Sequence, residues 1–331
     1  MPLRPITFQK KSPDGVIESC SYKKIPNRVQ NPPPGTVIRD HLVATPDGTS
    51  YLLIQQVSPR TLSWAHPPII GFPGLGMNAD IFLASNTKGL IAKTQPDSIA
   101  TYLNSIGREV YLVHPSNSAN AYKKYVTPHL GVPDPSTPPP NFEKMLAQEV
   151  QGSIHYILET TGASRADWMG LSLGGVFAYA LLSENPEAPI GRVVTIGSPI
   201  EFKPGFDYFA QNPIMSNEHL LDKENTHYLT YTSIGQYVEA MNPALGKTFH
   251  SWIAKGDHFP YPMEEIHTPF LLIYGEEDPL APPTSVEKAA KRLTHAEVEI
   301  MAFPYKRHLD PLLGKNCQQV YEKIGEFFLN D

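Results

Sequence analysis

Ser172 stands in Gly170-Leu171-Ser172-Leu173-Gly174, a spacing suited to acyl-transfer chemistry. A serine hydroxyl is a weak nucleophile unaided. It becomes reactive when a base within hydrogen-bond reach takes its proton and an acid holds that base in place. Glycines two residues to either side suit a tight strand-to-helix turn, in which larger side chains would collide and the hydroxyl projects from a strand end. The pentapeptide alone is a weak signal, since about 0.1 chance occurrences are expected in a chain this long. Its setting carries more weight: residues 167–171 read as a strand and residues 175–182 as a helix.

If Ser172 is a nucleophile of this kind, its acid and base follow it in the order Asp, His, each after a later strand. Asp278 lies in Gly275-Glu276-Glu277-Asp278-Pro279, directly after the apolar run 270–274. Glu277, Glu276 and Asp257 are the alternatives for the acid. Among twelve histidines, His308 follows the last strand and precedes the last helix, so it fits the base. His258, in Gly256-Asp257-His258, is the weaker rival. His114 ends an earlier strand and comes too soon in the order. Asp310 is placed to cap the final helix.

The attacked carbonyl develops an oxyanion, which needs two fixed N–H donors. Leu173, next to the serine, supplies one. The loop Gly71-Phe72-Pro73-Gly74-Leu75-Gly76-Met77-Asn78 supplies the other. Pro73 has no N–H, so Leu75 is the expected donor. Gly74, Met77 and Leu171 are expected to border the substrate. The chemistry calls for no metal and no organic cofactor.

These residues must be positioned by strands and helices. Short apolar runs at 37–44, 50–57, 68–72, 110–114, 167–171, 192–196, 270–274 and 297–303 alternate with helical patterns, which points to an α/β fold around a mostly parallel sheet. Pro46-Asp47-Gly48 joins the first two runs as a hairpin. A helix at 97–106 ends at Gly107. Residues 142–161 carry Leu146, Val150, Ile154, Ile157 and Leu158 on one face. Thr284 and Glu287 have capping-box spacing. A last helix from about residue 311 places Leu313, Cys317, Val320, Ile324 and Phe327 together. Residues 1–36 are polar and without strong period, and are expected to form an extension.

Residues 201–267 break the alternation and are rich in rings: Phe202, Phe206, Tyr208, Phe209, Tyr228, Tyr231, Tyr237, Phe249 and Trp252. An inserted cap is expected there. Most of the rings would form its own core, and some would line an acyl pocket.

Composition narrows the function classes. The net charge is −6, with no basic excess to neutralise phosphates, so nucleic acid is not an expected partner. Charged residues make up 18%, below the usual quarter or so. Cys20 and Cys317 make neither a disulfide framework nor a zinc pattern. The 34 prolines, including Pro32 to Pro34 and those between Pro133 and Pro140, mark rigid connections. Residues 1–11 lack the apolar stretch of a signal peptide, and no run approaches the roughly 18 apolar residues of a membrane span. A cytoplasmic protein is the expectation.

The Gly-rich loop, the Ser172 turn, Gly275–Asp278 and His308, taken in that order, resemble the α/β-hydrolase superfamily over nearly all the chain past residue 37. The resemblance implies an eight-stranded, mostly parallel sheet flanked by helices. The core would comprise 37–200 and 268–331, with a cap at 201–267. It also implies hydrolysis of an ester, thioester or amide through an acyl-enzyme.

Pro73-Gly74-Leu75-Gly76-Met77-Asn78 and His308-Leu309-Asp310-Pro311-Leu312-Leu313-Gly314-Lys315-Asn316 look like hydrolase domains fused to cholesterol-oxidase-like flavoproteins. The His-Leu-Asp step also resembles acid lipases. The sequence departs from the superfamily where Pro73-Gly74 replaces His-Gly and Leu171 replaces a frequent histidine. His114-Pro115-Ser116-Asn117 likewise lacks Asp-x-Arg-Gly. Polyhydroxyalkanoate synthases share some loop character but use cysteine, and Ser172 argues against that activity. The leading expectation is a lipase- or esterase-like hydrolase acting on a small ester with an apolar acyl group. An acyltransferase or thioesterase with the same triad, or a non-catalytic binding protein of the same fold, are the alternatives.

Overall fold

The computed structural model describes residues 6–11, 17–24, 35–47, 51–59, 66–84, 98–115, 140–212, 220, 243–314 and 316–330. Gly48, Ser116, Asn117, Pro32 to Pro34, the prolines from 133 to 139, and Tyr228, Tyr231 and Tyr237 lie outside them. Ten strands form one sheet: β1 (Ile6–Lys11), β2 (Ile17–Lys24), β3 (Thr36–Ala44), β4 (Tyr51–Pro59), β5 (Ile69–Phe72), β6 (Val110–His114), β7 (Ala166–Leu171), β8 (Ile190–Ile196), β9 (Phe270–Gly275) and β10 (Val298–Phe303). Their spatial order is β1-β2-β3-β4-β6-β5-β7-β8-β9-β10.

All eight expected strands are present. From β6 to β10 the neighbours run parallel. β5, β6, β7 and β9 are buried at every position, which is why they read as largely apolar runs rather than as alternations. β3 and β4 form the expected hairpin, with Ala44 opposite Tyr51.

The N-terminal stretch adds two antiparallel strands: β1 pairs with β2, and β2 with β3. A short alternation, Ile6-Thr7-Phe8-Gln9, carries the only local signal there, and Lys10-Lys11 and Lys23-Lys24 mask it in a composition average.

The helices are α1 (Ile99–Ser105), α2, α3 (Leu173–Glu184), α4 (Lys203–Gln211), α5 (Pro243–Ala254), α6 (Pro283–Arg292), α7 (Asp310–Leu313) and α8 (Cys317–Leu329). α2 comprises Phe142–Lys144 and Gln151–Thr161, with a π-helical stretch, Met145–Val150, between them. One core layer packs α2, α3, α5 and α6 on one sheet face. A second packs α1 and α8 on the other. No helix among the described residues is long and apolar enough to cross a membrane.

Three local expectations need correction. The capping box at Thr284 is absent. Pro283 starts α6, so Thr284 already lies inside it, and Pro282 occupies the cap position. The last helix is two, because Gly314 takes an extended conformation between α7 and α8. Asp310 therefore does not cap the final helix. It is the first residue of α7, and its carboxylate accepts from the Arg307 N–H at 2.7 Å.

At the N-terminal edge of the parallel strands, Arg108 donates to Asp167 Oδ2 (2.5 Å) and to the Pro67 (2.8 Å) and Phe328 (2.5 Å) carbonyls. Burial pushes the Asp167 carboxyl up and the Arg108 guanidinium down, and their mutual attraction opposes both shifts. This pair ties β6, β7 and the end of α8 together.

Tyr179 of α3 is buried against Phe270, and its hydroxyl lies 3.2 Å from Thr195 Oγ1. Burial pushes its phenol well above the ordinary range. The folded protein therefore keeps this proton at pH values where the unfolded chain releases it. Stability should be intact below about pH 10 and fall above it, by up to about 1.4 kcal/mol per pH unit for each such tyrosine. Urea unfolding at pH 8, 10 and 11 should show that decline, with a shallower slope for Tyr179→Phe. Equal slopes would rule out this assignment.

Candidate active site

Ser172 occupies the turn between β7 and α3 with φ 51° and ψ −114°, a conformation rarely taken by a non-glycine residue. The surroundings enforce it. A β-carbon on Gly170 would lie 2.3 Å from the Gly175 nitrogen, and one on Gly174 would lie 2.0 Å from the Phe72 carbonyl oxygen. The glycines of the pentapeptide are thus required by backbone packing. Trp168 Nε1 donates to the Gly174 carbonyl at 2.9 Å, and the Ser172 N–H donates to the Ile196 carbonyl at 2.7 Å. The elbow is thereby fixed to β7 and to the end of β8.

The Gly-rich loop meets the serine. A β-carbon on Gly74 would lie 3.2 Å from Ser172 Cβ and 3.3 Å from Met77 Sδ. The Met77 N–H donates to the Gly74 carbonyl at 3.1 Å, and Gly76 has φ 67°, which makes residues 74–77 a turn with glycine where φ must be positive. That turn engages the N–H of Met77 and not that of Leu75. Asn78 then caps the 3-10 helix Ala79–Leu83 by accepting from the Asp80 N–H. Leu75 is half-buried, whereas Met77 and Leu173 are buried and Leu171 wholly so, inside the second core layer. Leu173 opens α3, where the first N–H has no intrahelical acceptor.

Asp278 and His308 are brought together, both buried, with His308 Nδ1 donating to Asp278 Oδ2 at 2.7 Å. The other oxygen, Oδ1, accepts from the N–H groups of Leu280 (2.8 Å) and Ala281 (3.0 Å). These bonds fix the carboxylate's orientation and leave Oδ2 for the imidazole. Ser172 is linked to the pair through the strand ends. Its N–H bonds Ile196, and the next residue, Gly197, lies against both Asp278 and His308.

The rivals are placed elsewhere. Glu276 and Glu277 are exposed. Asp257 accepts from the N–H groups of Phe202 and Lys203 at the start of α4, and His258 is exposed. His114 is buried at the end of β6, 3.8 Å from the Asp80 carboxylate. Among the described residues no group of three or more His, Cys, Asp or Glu side chains could hold a metal.

Residues from the 201–267 segment sit directly on the site's supports. Gly205 of α4 is packed so closely on the loop that carries Asp278 that a β-carbon would lie 2.8 Å from the Leu280 carbonyl. The Leu220 carbonyl accepts from the N–H of Leu309, the neighbour of His308, at 2.9 Å. Ser285 Oγ accepts from the N–H groups of Ile200 and Glu201, both at 2.9 Å. Rings anchor α4 and α5: Phe202 stacks on Phe249 at 4.8 Å, and Trp252 meets Phe142 at 5.0 Å. Phe202, Phe249 and Trp252 thus serve the packed core. Sequence reasoning missed Gly197, Gly205 and Ser285.

No family model and no curated protein sequence matches the chain. Solved structures do. A serine hydrolase from Cycloclasticus zankles, a bacterium that degrades polyaromatic hydrocarbons, aligns with a TM-score of 0.61 at 16% identity, covering 89% of this chain and all of that one. A thermophilic esterase from Thermogutta terrifontis aligns with 0.54 at 15%, covering 92% and 96%. A monoacylglycerol lipase from Paleococcus ferrophilus aligns with 0.54 at 16%, covering 80% and 95%. At these identities the likeness establishes the fold.

Proposed function

We propose that this chain, which has the α/β-hydrolase fold, is a serine-dependent hydrolase of carboxylic esters with residues 201–267 as its cap. The observation that carries the reading is the Asp278–His308 hydrogen bond, held at strand ends adjoining the Ser172 elbow. That the neighbours named above include an esterase and a lipase agrees with it.

In this reading His308 takes the hydroxyl proton as Ser172 Oγ attacks the acyl carbonyl carbon. Asp278 fixes the imidazole so that its other nitrogen faces the serine, and stabilises the imidazolium. The N–H groups of Leu173 and Leu75 receive the oxyanion, beside Gly74 and Met77. Collapse expels the alcohol, which takes the proton from His308 and leaves an acyl-serine. Water, deprotonated by the same histidine, then releases the acid and restores the serine.

The apolar acyl preference rests on the ring-rich composition of residues 201–267, of which Phe202, Phe249 and Trp252 belong to the packed core. A panel of p-nitrophenyl esters of rising acyl length tests both claims. Turnover should rise beyond the acetate. No turnover of any member would refute ester hydrolysis, and a strict acetate preference would refute the apolar acyl group. Ester products formed on adding alcohols would instead favour acyl transfer.

A further inference from the structure

We propose that Gly197 is a positioning residue of the triad, its missing side chain being the seat against which Asp278 and His308 are aligned. The proposal rests on the reading of these two residues as the acid and base of an acyl-transfer site.

Gly197 is the first residue after β8 and has φ 55°. A β-carbon built on it would lie 3.1 Å from Asp278 Oδ2, from His308 Cε1 and from His308 Nδ1. Those are the two ends of the 2.7 Å hydrogen bond that orients the base, plus the ring carbon beside it. A carbon at that separation is too close, so the imidazole, the carboxylate or both must retreat by a few tenths of an ångström.

Neither neighbour retreats cheaply. Asp278 Oδ1 is already held by two backbone N–H groups. His308 is followed by Leu309, whose N–H is bonded to Leu220. Gly197 cannot move back either. Its N–H donates to the Ile273 carbonyl at 2.8 Å, and the adjoining Ile196 carbonyl holds the elbow through the Ser172 N–H. On the other side, Ser198 is wedged against α3, where a β-carbon on Gly175 would lie 2.1 Å from Ser198 Oγ. The residue is a spacer of zero side-chain thickness between the nucleophile's support and the acid–base pair.

A positive φ alone would also select glycine here. Two substitutions in the full chain separate that requirement from the space requirement: Gly197→Ala, and Gly197→Asn, which tolerates positive φ better. Both should lower kcat on a p-nitrophenyl ester about 10–100-fold with KM little changed, the signature of a misplaced reacting group rather than lost binding. In both, the downfield His308 Nδ1 proton resonance, identified by its loss in His308→Ala, should shift or broaden while the circular dichroism spectrum is retained.

Wild-type kcat and an unmoved resonance in folded Gly197→Asn would overturn the proposal and leave only a turn requirement. The resonance is read without substrate. Absence of ester turnover by the unaltered protein would therefore defeat the proposed function, while an unmoved resonance in either folded variant would defeat the role of Gly197.

Discussion

Ester turnover by Ser172→Ala should fall by about four to six orders of magnitude, with the fold retained. The size follows from what is removed. In the proposed mechanism no acyl-enzyme forms without the hydroxyl, and the Asp278–His308 pair could act only on water. What would remain is the proposed oxyanion donors and substrate binding. A fluorophosphonate probe should label the unaltered protein and leave this variant unlabelled. Alanine fits the site sterically, since only the side-chain oxygen is lost and the contact between Gly74 and Ser172 Cβ is kept. Turnover within tenfold of the unaltered protein, measured after removing trace contaminants, would show that another residue is the nucleophile.

Asp278→Asn should lower kcat by about four orders of magnitude. The asparagine keeps the size of the side chain. Its carbonyl oxygen can still accept from the N–H groups of Leu280 and Ala281, and that places the amide nitrogen towards His308. An N–H donor there stabilises the tautomer with its proton on Nε2, and in the proposed mechanism that nitrogen could then not take the proton of Ser172. The loss should therefore appear in kcat, with substrate affinity nearly unchanged. Glu276→Gln and Glu277→Gln, both at exposed positions, should leave kcat within twofold or so, since the imidazole nitrogen Nδ1 is already bonded to Asp278. A large loss at Glu277 and a small one at Asp278 would reassign the acid.

What could be read in the sequence depended on how local its cause was. The central strands announce themselves because burial on both faces demands contiguous apolar residues, as in Phe270-Leu271-Leu272-Ile273. The elbow was legible because its glycines answer to a steric demand within five residues. β1 and β2 were not, since their stability comes from pairing with one another and with β3, and a strand defined by its partner leaves a faint local trace. The π-helical stretch in α2 has no local sequence mark either. Thr284 misled because a proline one residue earlier already starts α6, while the hydroxyl that does useful bonding, Ser285, serves a segment 85 positions away. That Asp278 and His308 would be brought together was expected from their order alone. Gly197 was not, because its importance lies in what two other strands bring against it.

The close packing of Gly205 on Leu280, and the bonds joining Leu220 to Leu309 and Ile200 and Glu201 to Ser285, have a consequence for how this protein can diversify. Residues 201–267, the proposed cap, also brace the loops that carry Asp278 and His308. If the proposed roles hold, selectivity and reactivity are not separate modules. A chimera that imports the corresponding segment of another protein of this fold would inherit a foreign brace. Grafts that carry residues 278–285 and 307–310 along with the cap should outperform grafts that stop at its borders, and natural lineages should change these segments in step.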